Sequence, residues 1–191
     1  MPWLGQIAWG DHDMFHSSDL TAGRMMAVAK ADSGGPVYLS DPHDKLEPEL
    51  IRPMCYEDGL LLRPLAPAAP LPEDMFRTVD EPRLYRVMAP LANESVAFVL
   101  YNLHGDGKSE KPELSGIITP EDYRSASGLI QPYPGKWNIP LGGLLVYDHE
   151  KKNAEKLEDS SKFTISGFGD RLLQVSPIRN VLSVFGRTYK Y

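Results

Sequence analysis

The chain is poor in cysteine. Cys55 is the only one among 191 residues, so no internal disulfide can form and a secreted, cross-linked scaffold is excluded, whereas a reducing compartment fits. Positive charge is also in short supply: 20 Lys and Arg stand against 26 Asp and Glu, for a formal net charge of −6. Nucleic acids and anionic bilayers are held by basic stripes, so neither is an expected partner. No apolar run approaches 18 residues, and the opening Met-Pro-Trp-Leu-Gly-Gln has no basic segment leading into an apolar one. A soluble, cytoplasmic chain is the expectation, and its length allows one large domain or two small ones. Internal repeats are not visible. The one irregularity is an apolar, strand-like run that begins within a few residues of Met1, where a frayed polar start is commoner, and it suggests a piece of a longer protein.

What is present is concentrated in Trp9-Gly-Asp-His-Asp-Met-Phe-His16. Two carboxylates, two imidazoles and three large apolar groups follow the apolar run Ile7-Ala8-Trp9 and precede a helix-start signal at Ser17-Ser18-Asp19. A strand that ends in polar groups and turns into a helix is the layout of an α/β active-site edge. Leu20, Met25, Met26 and Ala29 share a face, so a helix is expected over 19–32, with Ser18 or Asp19 as its cap and Gly23 packed close on a neighbour. Ser33-Gly34-Gly35 ends it, and 36–41 reads as a short strand. This βαβ rhythm belongs to a parallel sheet or barrel, with Asp11 to His16 and Ser40-Asp41 at the same end of its strands.

A short helix is expected over 47–54. Four prolines in the nine residues 64–72 then suit an extended, semi-rigid connector rather than a helix or the inside of a sheet. Past it the period becomes two. Tyr85 to Leu91, Ser95 to Leu103, Leu114 to Thr119, Gly143 to Tyr147, Ala154 to Glu158, Phe163 to Ser166, Arg171 to Ser176 and Val181 to Phe185 all read as strands of an antiparallel sandwich. Tyr147 to Glu158 is a hairpin about Glu150-Lys-Lys-Asn153, and Pro120 opens a helical turn. The expected organisation is an α/β part over 1–63, a connector over 64–74 and a β-sandwich over 75–191, mainly β overall.

Asp11, His12, Asp13 and His16 admit three readings. Carboxylates and imidazoles with His at i and i+4 are a metal set for Zn, Mn or Fe, although Met14 and Phe15 interrupt it. In the second reading Asp11 or Asp13 only caps the following helix. The third reading is a sugar site, because carboxylates accept from paired hydroxyls while Trp9 covers the apolar C–H face of a pyranose. Elsewhere, Tyr133 and Trp137 form either an aromatic sugar platform or the edge of a core. Cys55 reads as a small buried group, and His43, His104 and His149 as solvated.

Trp9-Gly-Asp-His-Asp-Met-Phe-His-Ser17 with Ala31-Asp-Ser-Gly-Gly-Pro-Val-Tyr-Leu-Ser-Asp41 resembles the raffinose synthase and seed imbibition protein group of glycoside hydrolase family 36. Leu145-Val-Tyr-Asp148, Ile178-Arg-Asn180 and Gly186-Arg-Thr-Tyr-Lys-Tyr191 extend the resemblance across nearly the whole chain. Trp9, Asp11, Asp13 and Met14 are also similar to the Trp-Asn-Asp-Pro-Asp-Met run of related α-galactosidases, which implies that Asp13 and Met14 line a galactose pocket. The resemblance implies a retaining α-galactoside mechanism with paired Asp residues about 5 Å apart on a (β/α)8 barrel. Their sequence contexts have no match here, and Ser40-Asp41 only echoes one of them. The implied fold is the last βα elements of that barrel followed by a C-terminal antiparallel β-sandwich. The candidate substrate-binding residues are Trp9, Asp11, Asp13, Met14 and Asp41, with no catalytic residue, metal or cofactor in the chain itself. The partners are an α-galactoside or other oligosaccharide and an upstream barrel segment of the parent protein. A non-catalytic carbohydrate-binding or interaction module is the rival reading, and a metal hydrolase the third.

Overall fold

The computed structural model describes residues 12, 14–78, 81–104 and 112–186. Trp9, Asp11 and Asp13, with the strand expected over Ile7 to Trp9, lie outside the described residues. Helix α1, Gly23–Ser33, organises the N-terminal part. It starts four residues later than the spacing suggests, because Asp19 spends its carboxylate on a tight turn, accepting from the backbone N–H of Thr21 at 2.7 Å and of Ala22 at 2.9 Å. Gly34, at φ 67°, ends the helix in the left-handed conformation that a side chain makes costly. Gly23 is at a close approach: a Cβ there would fall 2.7 Å from the Ser17 carbonyl oxygen.

Helix α1 is buried on two sides. Val28, with Met25 and Ala29, packs on Val99, Tyr101 and Leu172 of a sheet. Ala27 and Ala31 face Phe15 and Met54, with Val37, Leu50 and Ile51 around them. Helix α2, Pro48–Ile51, and the 3₁₀ turn Arg52–Met54 fall where a short helix is expected. Among the described residues the strand expected over 36–41 forms no ladder, and its backbone is joined to the rest by the bond from Ser40 N–H to the Phe15 carbonyl at 2.9 Å.

The proline-rich run is extended and reaches the edge of the sheet. Ala69–Pro70 is an edge strand, β1, paired with Met88 and Val87. An edge tolerates Pro because its outward side needs no donor. Leu65 N–H donates to the Pro90 carbonyl at 2.8 Å, Ala68 N–H to that of Asp32 at 2.9 Å, and Leu71, fully buried, to that of Arg86 at 3.1 Å. The run is therefore a strap bonded both to the end of α1 and to the sheet.

Strands β2 (Tyr85–Leu91), β3 (Ser95–Asn102), β4 (Glu113–Ile118), β5 (Leu144–Asp148), β6 (Asn153–Leu157), β7 (Ser161–Ser166) and β8 (Gly169–Pro177) agree with the period-two reading to within two residues at nearly every end. All pair antiparallel, in a six-stranded sheet of order β1-β2-β3-β8-β5-β6 and a two-stranded sheet β4-β7. Met88, Phe98, Leu100, Val146, Leu173 and Val175 on one sheet meet Leu114, Ile118, Phe163 and Ile165 on the other. Tyr123 and Ala126 of helix α3, Pro120–Ala126, close one end of that core. The protein is thus mainly β, with a sheet-on-sheet core and a helix on the outer face. Strand β3 is buried at every residue because both its faces are covered.

Local chemistry explains the punctuation. Asp122 N–H donates to Thr119 Oγ1 at 3.3 Å and Thr119 N–H to Asp122 Oδ2 at 2.8 Å, a reciprocal cap on α3. Asp148 Oδ1 accepts from Glu150 and Lys151 N–H at 2.9 and 3.0 Å, shaping the β5–β6 hairpin turn. The strand expected over Val181 to Phe185 is absent. Asn180 and Val181 take φ of 50° and 61° in a turn closed by Arg179 and Leu182, and Val181 is 94% exposed, while Phe185 stacks on Tyr147 at a ring distance of 5.2 Å. Trp137 packs on Tyr123 at a ring distance of 5.6 Å and closes the core edge, while Tyr133 stands in solvent. Cys55 is half-buried rather than buried, and His104 and His149 are likewise partly covered, His149 meeting Tyr147 edge-on at 4.9 Å. No helix among the described residues is long and apolar enough to cross a membrane.

Candidate functional site

The described part of the polar stretch is a pinned ribbon. Its side chains alternate: Met14 is 58% exposed, while Phe15 is fully buried among Ala27, Ala31 and Met54. Phe15 acts as the anchor that turns Met14 outward. Ser40 holds the same residue, since Phe15 N–H donates to Ser40 Oγ at 3.4 Å.

Asp41 secures the next two residues. Its Oδ2 accepts from the Ser17 N–H at 2.7 Å and hydroxyl at 2.8 Å, and its Oδ1 from the Ser18 N–H at 2.9 Å and hydroxyl at 2.6 Å. Partial desolvation pushes this carboxyl up, but the bonds from Ser18 and Ser17 outweigh it and hold it well below the usual carboxylate range. Four donors on two oxygens use the acceptor capacity of a carboxylate. Ser17 Oγ passes the constraint on by accepting the Glu47 N–H at 2.9 Å.

On the other flank, the ammonium of Lys30 donates to the His12 carbonyl and lies 5.8 Å from the centre of the Phe15 ring. Lys30 is 4% exposed although it sits on a helix between two alanines. Together Phe15, Ser40, Asp41 and Lys30 fix the backbone on both sides of Met14. Sequence reasoning missed Lys30, Ser17 and Ser18. A lysine on the apolar side of a short helix was the available signal for the first.

His12, Met14, Phe15 and His16 are not helical. A four-residue spacing puts two side chains on one face only in a helix, so His12 and His16 lose the geometry that made them a ligand pair. Among the described residues no group of three or more His, Cys, Asp or Glu could hold a metal ion.

A second polar cluster lies where α1 meets the sheet. Asp170 of β8 bonds Arg24 at 2.5 Å. Asp32, at the far end of α1, is 4% exposed, and its Oδ2 has no hydrogen-bond partner among the described residues. Burial, and then the charge of Asp170, pushes Asp32 up to about 7. Burial also raises Asp170, in spite of Arg24, and raises Tyr101 beside both.

The architecture is similar to part of a solved α-galactosidase. The chain superposes on α-galactosidase I from Mortierella vinacea with a TM-score of 0.58, covering 92% of this chain and 42% of that one at 16% identity, a likeness of fold. The particular family comes from the sequence: the model described as raffinose synthase or seed imbibition protein Sip1 matches residues 1–184, and the chain belongs to that family. Among curated relatives, galactinol–sucrose galactosyltransferase from Oryza sativa subsp. japonica is 28% identical over 95% of this chain and 24% of its own length. The Pisum sativum enzyme of that name is 27% identical over 93% of this chain and 23% of its own. Probable galactinol–sucrose galactosyltransferase 6 of Arabidopsis thaliana is 40% identical over 74 residues. The chain thus spans about a quarter of the length of its full-coverage relatives.

Proposed function

We propose that residues 9–18 form one wall of an α-galactoside site in a galactosyl-transferring enzyme, with Trp9, Asp11, Asp13 and Met14 facing the sugar. The observation that carries the reading is the fixed, outward Met14, exposed on a backbone held from both sides in a chain of the raffinose synthase family. A sugar wall needs such rigidity, because hydroxyl recognition is lost when carboxylates wander by an ångström. Asp41 acts by holding Ser17 and Ser18 rather than by touching the sugar. In this reading residues 1–63 are the end of a barrel whose preceding elements supply the nucleophile and acid/base carboxylates, 64–74 the connector, and 75–191 a buttressing sandwich. The chain alone therefore binds an α-galactoside weakly and does not turn it over.

The test is a saturation-transfer NMR titration of the 191-residue chain with raffinose, repeated on Asp13→Ala, alongside an aryl α-galactoside assay. Binding that disappears in Asp13→Ala, with no hydrolysis, supports the wall. Equal binding by both proteins removes Asp13 from it, and Asp13-dependent turnover overturns the missing-pair reading.

A further inference from the structure

We propose that Lys30 is a positioning residue of this wall: its buried ammonium, reaching from α1 to the His12 carbonyl, sets the backbone that presents Met14. The inference rests on the sugar-wall reading for its function but not for its geometry.

An ammonium is rarely 4% exposed unless something specific holds it, since burying an unpaired cation is far costlier than exposing it. Here the contacts have a direction. The Nζ donates to the His12 carbonyl and lies over the Phe15 ring. Both groups belong to the ribbon, on either side of the exposed Met14. Phe15 is also the anchor of the small core under α1, with Ala27, Ala31 and Met54. One side chain thus fixes a carbonyl before Met14 and a ring after it, while Asp41 fixes Ser17 and Ser18 beyond. A backbone carbonyl bonded by a cation is a stronger restraint than a neutral bond. Lys30 therefore limits how far His12 and Phe15 move when a ligand arrives, and α1 carries that restraint to the sheet on which Val28 packs.

Three measurements on the full chain test this. In the unaltered protein, the Lys30 ammonium should give a slowly exchanging ¹⁵N signal; exchange as fast as that of exposed lysines overturns the proposal. In Lys30→Leu, the Met14 methyl signal should shift and broaden while that of Met88, buried in the sandwich core, stays in place. In Lys30→Arg, which keeps the charge, the Met14 signal should return toward its original position. An unmoved Met14 methyl in folded Lys30→Leu, or no recovery in folded Lys30→Arg, also overturns it. Should Lys30→Leu disturb Met88 as well, the ammonium exchange decides. Raffinose affinity, followed in the same samples, should fall about tenfold in Lys30→Leu, the scale of losing one charge-assisted bond that holds a contact group. Absence of any raffinose binding by the unaltered chain removes the sugar-wall reading and leaves the positioning result standing.

Discussion

Ser18 gives Asp41 two donors at once: its backbone N–H and its hydroxyl reach the same carboxylate oxygen at 2.9 and 2.6 Å. Ser17 repeats the arrangement on the other oxygen at 2.7 and 2.8 Å. The clamp spans residues more than twenty positions apart and joins the ribbon to the segment after α1.

The acid response of Asp41 follows. Desolvation raises this carboxyl, the bonds from Ser18 and Ser17 lower it further, and the folded value ends below the usual range. Its stabilising contribution is present above the ordinary Asp value of about 3.9 and is lost as pH falls through the lower folded one. A ¹³C titration should find Asp41 still ionised near pH 3, where an exposed Asp is mostly protonated. Asp41→Asn should speed amide exchange at Ser17 and Ser18 and remove that part of the acid dependence. Unchanged exchange at both amides contradicts the clamp.

Asp32 has the opposite sign. Burial and the nearby Asp170 raise it from 3.8 to about 7, so the folded chain holds a proton that the unfolded chain releases. Stability is therefore highest at and below about pH 4 as far as this group is concerned, and falls by up to about 1.4 kcal/mol per pH unit as pH rises toward 7. Asp32→Asn keeps the shape and cannot ionise. Urea melts across this range should show a flatter profile for the variant and a more stable variant above neutrality. A wild-type profile as flat as the variant's rules out the buried proton.

Replacing Gly by Ala in the interior of a helix ordinarily stabilises by roughly 0.5–1 kcal/mol, but Gly23 is the first residue of α1. Here the added methyl meets the Ser17 carbonyl oxygen at 2.7 Å, a backbone atom that the Asp41 clamp does not let retreat. Gly23→Ala should therefore lower the thermal midpoint, and calorimetry of the two proteins reads the sign directly.

The sandwich was largely legible in the sequence because it is built from period-two runs with one buried face, as in β4 and β7, and from caps with specific chemistry, such as Thr119 with Asp122. Val181 to Phe185 misled because alternation carries no information about whether a partner strand exists. The order of the strands was not legible either: β8 inserts between β3 and β5, a pairing set by long-range packing. At the site, the residue types of Met14 and Asp41 could be read, but their division of labour could not. Asp41 is an acid whose oxygens all face inward to Ser17 and Ser18, and Lys30 became visible only through burial.

The strap over 64–71 has a consequence for how the molecule is divided. Its amides bond Asp32 on one side and Pro90 and Arg86 on the other, while α1, from before the strap, covers Val99, Tyr101 and Leu172 beyond it. The point where composition changes most abruptly is therefore not a point of mechanical independence. Cut there, the C-terminal piece bares an apolar sheet face and the N-terminal piece an orphaned helix.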